Sequence, residues 1–197
     1  MFQVRFHGRG GQGVVTAAEL LSVAAFEEGK HAQAFPTFGS ERTGAPVTSF
    51  CRIADEPIRT REPVLAPDAL VVLDATLVNQ VDVFAGMRPE GHVLINTSRS
   101  YEELGLERFA LRFRPERFFS VPATELALAR IGKPLPNAVM LGALAAYVHV
   151  VSLAAVDSAI RDRFEGPTAD RNVEAAREAY RYVDREFGRE VLRASPD

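Results

Sequence analysis

The segment Gly8-Arg9-Gly10-Gly11-Gln12-Gly13 has the spacing G-x-G-x-x-G. Glycines at those intervals let a chain turn tightly between a strand and a helix. They leave N–H groups at the helix start free to hold an anion, phosphate above all. The same glycines also serve a plainer purpose, the close packing of strand on helix, and the spacing alone leaves both readings open. A dinucleotide site adds a carboxylate about 20 residues further on, at the end of the second strand, to hold a ribose. Here that strand ends in Phe35-Pro36, Glu27 and Glu28 fall in a helix, and Glu41 falls in a loop. A stand-alone NAD-binding enzyme is therefore the weaker alternative.

Other chemistry-bearing residues are sparse. Ser40 lacks the Gly-x-Ser-x-Gly turn of a nucleophile elbow. The four histidines, His7, His31, His92 and His149, are scattered without metal-ligand spacing. A single cysteine, Cys51, cannot hold an iron–sulfur cluster, a structural zinc or an internal disulfide. No catalytic residue and no metal site are assigned. Asp74 closes an apolar strand, where an acid either meets a ligand or caps the next turn. Asn96, Thr97 and Ser98 close another strand. Arg9 and Arg42 have the planar fork that suits phosphate or a partner's carboxylate, and each could equally be a solvated surface group.

These residues need elements to position them. Phe2–His7 alternates apolar and polar side chains and predicts a first strand. Val14–Glu28 predicts a helix stopped by Gly29, with Val15, Leu20, Leu21, Val23 and Ala24 as its buried stripe. His31–Phe35 and Val47–Ile53 predict two more strands, separated by the irregular loop Pro36–Pro46. Ala69–Asp74 and Gly91–Asn96 are continuous apolar runs of the kind buried on both faces of a parallel sheet. Asn79–Ala85 predicts a short helix, and Phe118–Val121 a last strand. Helices are expected over Ala123–Ile131, from Asn137 as a cap through Val151, over Val156–Phe164 and over Ala169–Phe187, with fraying after Val191. This alternation defines an α/β fold, an open, mostly parallel sheet with helices on both faces and a helical C-terminal part, in a single domain spanning 1–197. The glycine loop and the Gln33–Pro46 segment then share the edge at the carboxyl ends of the strands, where open α/β sheets bind ligands.

Composition bounds the partners. A chain of 197 residues with 47% hydrophobic and 25% charged residues can fold without staples. A formal charge of -3 gives no field for nucleic acid or anionic lipid. The longest apolar run, Ala138–Val151, is too short to cross a membrane. With no charged leader ahead of an apolar segment, a cytoplasmic location is the expectation.

Several segments, in this order, resemble the gamma subunit, or gamma-type domain, of the 2-oxoacid:ferredoxin oxidoreductases that act on pyruvate and 2-ketoisovalerate. They are the glycine motif with its Val14-Val15-Thr16-Ala17-Ala18-Glu19 helix start, the run Gln33–Pro46, Pro67–Asp74, Asn96-Thr97 and Asn137–Ala143. Within Gln33–Pro46, the pattern Phe-Pro-x-x-Gly-x-Glu-Arg-x-Gly-Ala-Pro is the specific part. Many relatives carry arginine where this chain has Thr43. The resemblance implies a complex that converts a 2-oxoacid and coenzyme A to acyl-CoA and carbon dioxide and reduces ferredoxin or a similar acceptor. It implies alpha and beta subunits and a ferredoxin-like subunit as partners, which hold thiamine diphosphate with magnesium and the iron–sulfur clusters. This chain would carry none of them. It would cover the active site and help accommodate coenzyme A, through Gly8, Arg9, Gly10, Gly11, Gln12 and Gly13, through Ser40, Glu41 and Arg42, and through Asn96 and Thr97. A purely structural assembly subunit is the alternative.

Overall fold

The structure, a computed structural model, describes residues 1–37 and 43–194, with side chains described to residue 187. Ser40, Glu41 and Arg42 lie outside the described residues.

Six strands form one sheet in the order β2-β3-β1-β4-β5-β6. They are β1 (Phe2–Arg9), β2 (His31–Pro36), β3 (Pro46–Ala54), β4 (Ala69–Val72), β5 (His92–Asn96) and β6 (Phe118–Val121). The strands β1, β4, β5 and β6 run parallel, and β3 alone is reversed, pairing antiparallel with both β1 and β2. The α/β class and the mostly parallel sheet thus match the sequence reading. The apolar runs of β4 and β5 are buried on both faces, as their lack of alternation requires.

One face of the sheet is covered by five helices: α1 (Val14–Glu27), α3 (Ala123–Ile131), α4 (Asn137–Val148), α5 (Leu153–Arg163) and α6 (Gly166–Ala194). Residues 137 to 147 of α4 are buried throughout, because α4 lies beneath α6 rather than at the surface. Gly142 makes that contact possible. A Cβ there would stand 2.1 Å from the carbonyl oxygen of Ala176. The second face is thinner. A 3₁₀ turn at Ala75–Asn79, the single-turn helix α2 (Glu107–Ala110) and irregular chain pack Leu77, Phe84, Leu106 and Phe113 on Leu70, Val72, Val93 and Ile95.

Over the β3–β1 half of that second face the packing is polar. Arg5 and Arg52 are 7% and 3% exposed. Arg5 donates to the carbonyls of Val83 (2.9 Å), Ala85 (2.5 Å) and Val64 (3.4 Å). Arg52 donates to Glu62 O (2.5 Å) and to Gln3 Oε1 (3.1 Å), and its guanidinium lies 5.0 Å from the Phe35 ring centroid. These arginines satisfy carbonyls of irregular segments that have no ladder of their own.

Several boundaries differ from expectation. The buried stripe of α1 is Val14, Ala17, Ala18, Leu20, Leu21, Ala24 and Ala25. Val23 is exposed and Val15 only half-buried, because the helix turns its small residues to the sheet. No helix forms over Asn79–Ala85. Asp74 instead caps the 3₁₀ turn, accepting from Thr76 N, and Arg5 takes two carbonyls of the segment that follows. Asn137 is the first residue of α4 rather than its cap. The helix ends at Val148, where His149 adopts φ 57°. The next helix begins at Leu153, capped by the Ser152 hydroxyl, ahead of the expected Val156. The last begins at Gly166 and runs to Ala194. Strand β4 stops at Val72, so Leu73 and Asp74 lie beyond it.

Candidate functional site

The glycine loop joins β1 to α1 at the carboxyl edge of the sheet. Gly11 and Gly13 have φ 97° and 76°, which only glycine adopts readily. A Cβ on Gly13 would also stand 2.6 Å from Asn137 Nδ2, so that position is closed to a side chain on two counts. The loop lies alongside the entry to β3. Gly10 N donates to Ala45 O (2.9 Å), and Gly44 N donates to Gly10 O (3.0 Å). The glycine motif and the second part of the Gln33–Pro46 segment therefore share one edge.

Arg9 and Gln12 are engaged within the chain. Arg9 Nε donates to Asp74 Oδ2 (3.1 Å), one Nη to Gly44 O (3.1 Å) and the other to Thr76 Oγ1 (2.8 Å) and Gln80 Oε1 (3.0 Å). Gln12 Oε1 accepts from Arg9 N (2.7 Å), while its Nε2 donates to Asp74 Oδ2 (2.9 Å). Burial alone would raise the Asp74 pKa. The hydrogen bonds from Thr76 and Gln12 and the charge of Arg9 outweigh it and hold the carboxyl below its ordinary value.

Beside this network lies a cavity of about 320 Å³, lined among others by Gly13, Thr16, Lys133, Asn137, Thr168 and Arg171. It collects the N-termini of three helices, α1, α4 and α6, none with an acidic residue in its first turn. No lining residue is acidic, and Lys133 and Arg171 form no salt bridge among the described residues. Neither α1 nor α4 has a side-chain cap on its first N–H groups. Asn137 is 6% exposed, and its amide has no hydrogen-bond partner among the described residues. Uncapped helix starts, three helix dipoles and two cations around one small space suit an anion. A second cavity, of about 310 Å³, adjoins the same loop and is lined among others by Arg9, Val15 and Val47.

Asn96 and Thr97 sit at the carboxyl end of β5, but both are engaged internally. Asn96 Nδ2 donates to Leu73 O and Thr124 Oγ1 (both 2.8 Å), and its Oδ1 accepts from Thr124 N (3.1 Å). Thr97 Oγ1 accepts from Arg99 N (2.9 Å). Neither lines the two cavities beside the glycine loop. Lys133, Thr168 and Arg171 escaped the sequence reading, and Asn137 entered it only as a cap. Lys133 lies in the turn after α3, Asn137 opens α4, and Thr168 and Arg171 lie at the start of α6, so only the tertiary fold brings them together. Burial pushes the Cys51 thiol pKa up, so it offers no thiolate. Among the described residues no group of His, Cys, Asp and Glu could hold a metal ion. No helix among them is long and apolar enough to cross a membrane.

An α/β sheet whose glycine loop opens on a cavity with two cations and no acid defines the class of domain, one whose carboxyl edge suits a ligand. The sequence model of the family described as pyruvate ferredoxin/flavodoxin oxidoreductase matches residues 3–182. The gamma subunit common to the pyruvate and ketoisovalerate oxidoreductases of Pyrococcus furiosus is 50% identical over 180 residues, 91% of this chain and 96% of that one. The crystal structure of the pyruvate oxidoreductase subunit PORC of Thermotoga maritima superposes with a TM-score of 0.76 at 37% identity, over 91% of this chain and 95% of that one. The fold also recurs in a longer chain, the 2-oxoglutarate:ferredoxin oxidoreductase of Magnetococcus marinus, with a TM-score of 0.71 at 18% identity, over 94% of this chain and 31% of that one. The chain belongs to the pyruvate ferredoxin/flavodoxin oxidoreductase family, as a gamma-type subunit of a 2-oxoacid:ferredoxin oxidoreductase complex.

Proposed function

We propose that this chain covers the active site of its complex in the cytoplasm and receives the phosphate-bearing end of coenzyme A. The observation that carries the reading is the convergence of three helix N-termini with Lys133 and Arg171 on one cavity beside the glycine loop. A space of about 320 Å³ holds a phosphate-bearing fragment rather than a whole coenzyme A. The remainder of the ligand then runs along Gly10–Gly13 toward a partner subunit, and Ser40, Glu41 and Arg42 are proposed as further contacts. In the Magnetococcus marinus enzyme, coenzyme A and succinyl-CoA are bound.

The chemistry belongs to the assembly. Its partners, alpha, beta and ferredoxin-like subunits, supply thiamine diphosphate with magnesium and the iron–sulfur clusters. A single cysteine, and that one buried, cannot ligate an iron–sulfur cluster. This chain on its own is inactive. Its part is to bind, orient and exclude water around the thioester-forming end of the substrate.

Lys133→Ala and Arg171→Ala, each in the reassembled complex, test the reading. Each raises the KM for coenzyme A about tenfold, the size of a lost charge-assisted phosphate contact. Unchanged KM in both variants overturns it. Arg42→Ala probes the second segment in the same assay, where an unchanged KM and turnover remove that residue from the site.

A further inference from the structure

Asp74 stands at the carboxyl end of β4 and outside the anion cavity. Its carboxylate nevertheless takes four hydrogen bonds: from Arg9 Nε and Gln12 Nε2 on one oxygen, and from Thr76 N (3.0 Å) and Thr76 Oγ1 (2.5 Å) on the other. Its side chain is 16% exposed. Two of the donors belong to the glycine loop itself. Gln12 also accepts from the backbone of Arg9, so Arg9, Gln12 and Asp74 close a ring across the turn. Arg9 then reaches past the loop to the Gly44 carbonyl, next to the backbone contacts that join Gly10 to Gly44 and Ala45.

We infer that Asp74 is a positioning residue for coenzyme A. Through Arg9 and Gln12 it holds the glycine loop in the turn that sets Gly11 and Gly13 on the cavity wall, and it fastens the loop to the chain entering β3. The inference rests on the coenzyme A reading above. The carboxylate is the common acceptor of two side chains that have no other shared partner. Asparagine at that position would turn an N–H₂ toward one pair of donors and keep an acceptor for the other, so the ring opens. The arginine then has no fixed counter-charge, and its hold on Gly44 weakens.

The test uses the whole complex, reassembled with Asp74→Asn, with Arg9→Gln, and with both. Asp74→Asn raises the KM for coenzyme A about tenfold, while kcat at saturating coenzyme A and the KM for the 2-oxoacid stay within about twofold. Arg9→Gln does the same, and the double variant is no worse than the poorer single one, because both break one connected network. A loss of packing alone would instead lower the amount of active complex and leave the coenzyme A KM in place. If Asp74→Asn fails to assemble, Arg9→Gln alone carries the test. An unchanged coenzyme A KM in an assembled variant, with Lys133→Ala still raising it, overturns the positioning role and leaves the site standing. Unchanged KM in Lys133→Ala, Arg171→Ala and Asp74→Asn alike overturns both.

Discussion

At the scale of single residues, the polar interior of the second sheet face sets the acid limit of the fold. His7 is 8% exposed, and burial, with the nearby charge of Arg5, lowers its pKa from the ordinary 6.5 to about 4. On the other face, beside Tyr147, His92 is lowered to about 4 by burial and by Arg117. A histidine with a depressed pKa is neutral in the fold. The unfolded chain takes up its proton as pH falls through 6.5, and the folded chain does so only near 4. The stability tied to neutral His7 is therefore complete above pH 6.5 and lost as pH falls toward 4, with a ceiling of ~3 kcal/mol for this residue. Melting curves between pH 7 and pH 4 should show Tm falling over that window, and His7→Gln should flatten the slope. A parallel slope in wild type and variant would remove His7 from the account. These roles were only partly legible. The glycines and Asp74 declare themselves by spacing and by their place at strand ends. Arg9 reads as a free cation in the sequence and becomes a bound one, because its partners lie more than 30 residues away.

At the scale of elements, apolar patterning located all six strands and the helices of the first face, by alternation in β1 and by unbroken apolar runs in β4, β5 and α4. It failed where tertiary polar groups decide the backbone. The segment around Val81–Ala85 has the composition of a helix, yet two of its carbonyls are taken by Arg5, a residue far off in sequence. The start of α4 was placed correctly in sequence and misread in role, since Asn137 faces the glycine loop rather than its own helix start. Tight packing of α4 on α6 gives a sharp prediction. Gly142→Ala drives a methyl into the Ala176 carbonyl, and overpacking of this kind costs about 1–3 kcal/mol. Tm should fall by roughly 2–4 °C for each kcal/mol lost, measured on the purified chain. A variant as stable as wild type would show that the two helices can separate freely.

At the scale of the whole molecule, the edge beside the glycine loop carries charge that the totals of the chain do not announce. A net charge of -3 conceals a cavity holding two cations and no acid. Composition averages over the surface, so no reading of totals could have found it. Omission of this chain from the reassembled complex should abolish coenzyme A-dependent, 2-oxoacid-dependent dye reduction, and adding it back should restore the activity. Full activity without it would leave a structural role in assembly. The same assay over a panel of 2-oxoacids identifies the substrate of the complex.

The single reversed strand has a further consequence. Because β3 turns back against β2 and β1, the end of β2 and the entry to β3 stand at the same edge as the glycine loop. Two antiparallel neighbours follow one another in the chain there, so a change of length between them shifts no helix. The cavity beside the glycine loop has no such freedom, because it is framed by the starts of α1, α4 and α6.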